Sequence, residues 1–428
     1  MTDPTDMADQ PGSLLSGLGR NFVYATISAG SAVLLLGVLV LTGRLLGHDV
    51  YGQFSFALAL ATIGEGLMDF GLHQVGIRAV ARDAQKAADV FRNSVALKFL
   101  PGALMVVVIA LLARWLRSEA DFRWACVLLA ISAVMRSYLL TIRGVLMGLE
   151  EFAMDAAVVL LDRILLLAVS AVILLTGGGL VALCWGFVAA RAFALAGSLG
   201  IARRRFSPLS PAFDQEMWSD LRRSAFALGT FLVMLNLYSY IDTVLLGILS
   251  TDTETGLYNA AYRVYEGLTY APAILSAVLT PRLSREYVTD RGRHRMLARN
   301  GLLASLVLAA CVAVVTWFVG GWVISLLFGS AFRPATRALQ ILSSGLLVVY
   351  PIWILQSIAM SVSAERILLR TTVIGSVVNI AANLVLIPSY GRDGSAVATV
   401  IGEAVSLLLL LSGVALPLWK GADEQTHG

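Results

Sequence analysis

A chain in which nearly pure apolar stretches of some twenty residues alternate with short polar breaks has few folds open to it. Lipid offers no hydrogen bonds to open backbone groups, so such stretches must close their own as helices. A bilayer core takes about 20 apolar residues per helix, and runs of that kind occur at 21–43, 52–77, 94–113, 124–142, 152–175, 180–202, 224–249, 257–281, 300–324, 338–362, 371–388 and 394–418. The residues are 58% hydrophobic and 14% charged, and the mean hydropathy is +0.79. Soluble domains are about 25% charged, so the polar surface that water requires is missing. The expected fold class is an all-α integral membrane protein of about 12 transmembrane helices.

Stretch 1–20 is polar and acidic and lacks a basic n-region or small-residue cleavage site, so it is expected to be a cytoplasmic tail and not a signal peptide. A second short tail is expected at 419–428. Of the 32 Lys and Arg residues, 21 fall on the side of the N-terminus, among them Arg78, Arg82, Lys86, Arg92, Lys98, the run Arg203–Arg205 and Arg291 to Arg299. Seven fall on the other side, from Arg44 to Arg392, and four lie inside spans. By the positive-inside rule both termini are cytoplasmic. The net charge of +4 is scattered over helix ends, which excludes a nucleic-acid partner. Cys126, Cys184 and Cys311 each sit alone in an apolar run, and the four histidines are dispersed, so neither a metal site nor a cofactor is expected.

The halves repeat. Gly43, Gly52, Phe54 and Ala57 recur as Gly247, Gly256, Tyr258 and Ala261, every pair offset by 204, and the same offset carries Arg78 onto Arg282. Six spans per half give an N-terminal bundle at 21–202 and a C-terminal bundle at 224–418, joined by a cytoplasmic linker at 203–223. Equal topology in both halves puts the expected pseudo-two-fold along the membrane normal, an arrangement found among transporters that rock two bundles about a central site.

Three blocks carry a resemblance. GRLLGHDVYGQFSFALALATIGEGLMDFGLHQVGIR resembles the first block of the Wzx-type polysaccharide and oligosaccharide-lipid flippases, relatives of lipid II flippases and MATE exporters within the multidrug/oligosaccharidyl-lipid/polysaccharide exporter superfamily. YIDTVLLGILSTDTETGLYNAAYRVYEGLTYAPAILSAVLTPRLSR is similar to the start of their second half, and NIAANLVLIPSYGRDGSAVATVIGEAV to their last two helices. The resemblance implies a MATE-like fold and the movement of a polyprenyl-diphosphate-linked oligosaccharide across a bacterial inner membrane for cell-surface polysaccharide synthesis, by alternating access. It also implies membrane lipids as partners, together with polysaccharide polymerase or chain-length machinery.

Charged residues inside a bilayer face bundle interiors or wet cavities. Glu65, Asp69 and His73 fall at i, i+4 and i+8 on one stripe of span two, either a cation-responsive stripe or a hydrogen-bonded seam. Arg136 and Arg143 share a face of span four, Asp155, Asp162 and Arg163 cluster on span five, and Arg191 lies on span six. These arginines either hold diphosphate oxygens or neutralise the acids. Asn236 and Tyr240 lie along span seven with Asp242 nearby. Tyr258, Tyr262 and Tyr265 lie along span eight, with Arg263 and Glu266 beside them. Expected on the translocation pathway are Arg136, Arg163, Arg191, Arg263, Tyr258, Tyr262 and Asn236. Glu65, Asp69, His73, Asp242 and Glu266 are candidates for ion coupling. The deep acids outnumber the deep arginines, seven to four, which favours a second reading, an ion-coupled exporter of small molecules on the same scaffold. A membrane enzyme is the third. It needs a catalytic extramembrane loop, and the longest loops, expected near 203–223 and 282–299, are basic and poor in motifs. Pro101, Pro272 and Pro351 should kink their spans.

Overall fold

The computed structural model describes residues 24, 26–28 and 30–415. The two expected tails lie outside the described residues. Among the described residues, twelve α-helices follow one another: α1 Ala32–Asp69, α2 Leu72–Arg82, α3 Ala87–Leu116, α4 Ala120–Gly148, α5 Phe152–Leu175, α6 Leu180–Ala202, α7 Gln215–Leu249, α8 Asp252–Leu268, α9 Tyr270–Thr289, α10 Arg291–Phe328, α11 Thr336–Ser361 and α12 Glu365–Leu410. No strand occurs among the described residues.

Helices and spans do not correspond one to one. Nine helical stretches among the described residues are long and apolar enough to cross a membrane, and two of them, Thr26–Arg82 and Arg366–Val414, hold 57 and 49 residues. At 1.5 Å per residue either is longer than one crossing needs, and each is broken by a positive-φ glycine, Gly47 or Gly391. Taking each of those two as a pair and adding α8 with α9, which hold 17 and 20 residues and carry several charges, gives about twelve spans.

Spans two and eight are both discontinuous. Span two breaks where Phe70 and Gly71 take left-handed φ values of 41° and 77°. A side chain at Gly71 would also stand 3.0 Å from the Cα of Gly229. Span eight breaks at Thr269, between α8 and α9. Pro272 lacks the N–H that would bond the Leu268 carbonyl, and the Tyr350 hydroxyl donates to that carbonyl instead, at 2.8 Å. Start signals are local: Thr251 caps α8 by accepting from the Glu254 amide at 3.2 Å, and Asp290 caps α10 by accepting from the Arg293 amide at 3.0 Å. The region near 282–299, expected as a loop, is therefore helical except for the turn at Asp290.

The described residues form two compact units. One holds residues up to Leu41 together with Ala61–Val233, the other Thr42–Leu60 and the chain from Met234. Residues 42–60, read from the sequence as part of the N-terminal bundle, thus belong to the second unit, and 224–233 to the first. The first unit is built on α3 to α6, with a core that includes Val80, Phe91, Leu139, Ile142, Leu146 and Val158. Its 203–214 segment is tied down: Phe206 is buried against Phe91, ring centroids 5.3 Å apart, Arg92 Nε donates to the Ser210 carbonyl at 2.8 Å, and Asn93 Oδ1 accepts from the Asp214 amide at 2.9 Å. The second unit packs α9, α10, α11 and α12 around Leu283, Leu302, Ile354, Ile358 and Leu410.

Candidate functional site

Broken spans in corresponding positions of two repeats are where membrane transporters place ligand sites, and Glu65 and Asp69 lead into the break of span two as Arg263 and Glu266 lead into that of span eight. In the first unit, helical spacing puts Glu65 and Asp69 one turn apart on α1, and neighbouring helices supply a cation to each. Arg136 Nε donates to Glu65 Oε2 at 2.6 Å. Lys98 Nζ donates to Asp69 Oδ1 at 2.5 Å, to the Ser137 carbonyl at 3.0 Å and to Thr141 Oγ1 at 2.7 Å, which uses all three ammonium protons. His73 sits one turn further on, its Nδ1 2.7 Å from the Leu140 carbonyl.

On the next helices Arg143 makes a two-pronged bond to Asp155, at 2.6 and 3.2 Å, and Arg191 Nε lies 2.8 Å from Asp162 Oδ1. Arg163 Nε stands 4.0 Å from Asp162 Oδ2; its Nε and Nη1, Arg191 Nε and Nη1, and Asp162 Oδ1 are all buried without a hydrogen bond, so Asp162 meets both arginines as an ion pair by proximity alone. The first unit therefore sets five buried or half-buried cations, Lys98, Arg136, Arg143, Arg163 and Arg191, against four acids, Glu65, Asp69, Asp155 and Asp162. Once the acids are paired, Arg163 is left over.

Lys98 corrects the sequence reading. Counted there with the cytoplasmic cations, it is fully buried, and it tips this cluster from four cations against four acids to five against four. The available signal was a single lysine four residues inside an apolar run, but lysines near span ends commonly reach back to the interface, and that reading prevailed.

The second unit is built differently. Asp242 accepts from the Tyr258 hydroxyl at 2.9 Å, Thr399 Oγ1 at 2.6 Å and Asn383 Nδ2 at 2.8 Å, all neutral donors. Glu403 Oε1 accepts from the Tyr265 hydroxyl at 2.8 Å, and its Oε2 is buried with no partner. Arg263 binds its own neighbour Glu266 at 2.7 Å. Tyr258 and Tyr262 stack with centroids 5.7 Å apart, and Tyr265 tilts against Tyr262 at 5.9 Å. Tyr258 and Tyr265 are buried and their hydroxyls committed to acids. Tyr262, Arg263 and Asn236 are half-buried, and Asn236 Oδ1 has no partner. Thr399, Tyr350 and the role of Glu403 were not legible in the sequence, since their partners lie 138 or more residues away for Thr399 and Glu403 and 82 for Tyr350. Among the described residues no group of His, Cys, Asp and Glu is arranged to hold a metal ion.

The chain is similar to several known proteins. The Haloferax volcanii protein named "Probable low-salt glycan biosynthesis flippase Agl15" is 24% identical over 386 residues, which cover 89% of this chain and 79% of that protein. "Probable flippase AglR" of the same organism is 29% identical over 185 residues, 42% of this chain and 38% of that protein. Among solved structures, an inward-facing multidrug resistance MATE family transporter of the MOP superfamily superposes with a TM-score of 0.75 at 16% identity, covering 95% of this chain and all of that one. Lipid II flippase MurJ, in an inward closed conformation, gives 0.74 at 13% identity, covering 91% and 87%. These two likenesses concern the fold. Residues 18–286 match the family described as "Polysaccharide biosynthesis protein", and the chain, an all-helical membrane protein with a MATE-like fold, belongs to that family.

Proposed function

We propose that this protein is a flippase, not an enzyme, that carries a lipid-phosphate-linked oligosaccharide across the cytoplasmic membrane by alternating access, with both termini in the cytoplasm. The observation that carries the reading is the buried guanidinium of Arg163, whose one carboxylate neighbour, Asp162, is shared with Arg191: intramembrane charges mark substrate and ion pathways. Guanidinium donors in a fixed fork suit phosphate oxygens. The named relatives are archaeal proteins, so the cargo is defined by its sugar and phosphate and not by one polyprenol chain. Arg136 and Arg191 stand beside Arg163 as further cargo-binding candidates.

The test is glycan exposure on the outer leaflet in a deletion strain complemented with wild type, Arg163→Ala or Arg163→Lys. Loss of surface glycan with lipid-linked repeats held inside, partly restored by Lys, supports the reading. Normal glycan with raised sensitivity to cationic drugs would overturn it in favour of the exporter, a reading that the uncompensated acids Asp242 and Glu403 favour.

A further inference from the structure

The two units treat buried carboxylates in opposite ways. Each acid of the first-unit cluster has an Arg or Lys within ion-pair distance. Glu403 has none: it is 8% exposed, accepts one hydrogen bond, from Tyr265, and leaves Oε2 bare. What faces that oxygen is Gly345, where even a Cβ would stand 3.2 Å away. The titratable groups around it are Tyr265 and Tyr262 on α8 and Tyr238 and Asp242 on α7, and α11 presents Gly345. None is a cation.

A full negative charge on one hydrogen bond in a dry interior is costly, and a carboxylate in that position relieves the cost by taking a proton. A metal ion would do the same only with several oxygen ligands, and Glu403 offers one carboxylate beside a tyrosine whose hydroxyl is already spent on it. Asp242, by contrast, meets three donors and needs no proton for its hydrogen bonds to be complete.

We propose that Glu403 is a proton-binding site of the membrane interior, loaded at Oε2 from solvent on one side and emptied to the other, with Tyr265 as the link that transmits its state. Tyr265 lies three residues before the end of α8, so loading and unloading act at the break of span eight. Emptying the site leaves an ion with one donor, and displacement of the α8 end, which lets water reach Oε2, relieves it.

The experiment is infrared difference spectroscopy of the full chain in lipid nanodiscs between acid and alkaline pH, in H2O and D2O, which needs no glycan substrate and so stands or falls apart from the flippase reading. Wild type should show a protonated-carboxyl carbonyl band that shifts in D2O. Glu403→Gln should lose that band, Asp242→Asn should keep it, and Tyr265→Phe should shift it by removing the hydrogen bond to Oε1. Survival of the band in Glu403→Gln, its absence from wild type, its displacement by sodium chloride at constant pH, or an unmoved band in Tyr265→Phe would each overturn the proposal. Should Glu403→Gln fail to fold, the Tyr265→Phe shift decides the matter. Transport measured against pH should flatten in Glu403→Gln while the wild type stays pH-dependent.

Discussion

Gly52 and Gly256, equivalent positions of the internal repeat, pack directly against one another within the second unit. A Cβ on Gly52 would stand 3.0 Å from the Gly256 amide nitrogen, one on Gly256 would stand 3.1 Å from that of Gly52, and they would overlap the backbone carbonyls of Asp252 and His48 respectively. The residues around them pair across the same contact. The Thr253 hydroxyl donates to Asp49, again 204 positions apart, and Gln53 Nε2 donates to Asp252 Oδ2 at 2.9 Å. A sequence pattern that first reads as duplication is also a contact between its own copies.

That contact admits no side chain. Gly52→Ala or Gly256→Ala should destabilise the protein by about 1–3 kcal/mol through overpacking. Gly200→Ala, where a Cβ meets nothing within 4 Å, should be neutral or gain about 0.5–1 kcal/mol. Thermal unfolding of the detergent-solubilised variants distinguishes the two classes, and equal behaviour would sink the packing argument.

Lys98 and Asp69 should behave as a unit. Lys98→Met strands a buried carboxylate and should cost about 3–5 kcal/mol, whereas Lys98→Met with Asp69→Leu should recover most of it. A double variant as unstable as the sum of its parts would mean that the pair is not what holds this region.

Arg163 and Arg191 should separate stability from transport. Arg191→Ala removes the closer of the two cations beside Asp162 and should lower the unfolding temperature, while Arg163→Ala removes the more distant one and should leave it level or raise it. Transport should fall in both. A marked loss of stability in Arg163→Ala would show that Asp162 relies on it.

Tyr350 stands in for a missing amide. Tyr350→Phe leaves the Leu268 carbonyl unpaired and should cost about 1–3 kcal/mol. In a Pro272→Ala background, where the N–H returns, the same substitution should cost much less. A double-mutant cycle on unfolding free energy measures the coupling, and additivity would refute the substitution of one donor for the other.

The stripe Glu65, Asp69, His73 was legible from helical spacing, and so were the arginines on spans four to six. Their partners were not. Whether Glu65 met Asp69 or Arg136 depended on which helices lay side by side, and pairs such as Lys98–Asp69 join residues that local pattern cannot link. The tyrosines of span eight were visible as a row, but only packing shows that two of the three spend their hydroxyls on buried acids.

By itself the sequence determined that this chain lives in lipid as about twelve helices and to which family it is related, because hydrophobic length and motif spacing are properties of a one-dimensional string. Tertiary structure decided which charges cancel. It withdrew Lys98 from the membrane surface, left Arg163 without a carboxylate of its own, and buried Glu403 against a glycine and a tyrosine. Those outcomes follow from distances between residues far apart in sequence, and in a low-dielectric interior such distances set what each charge costs.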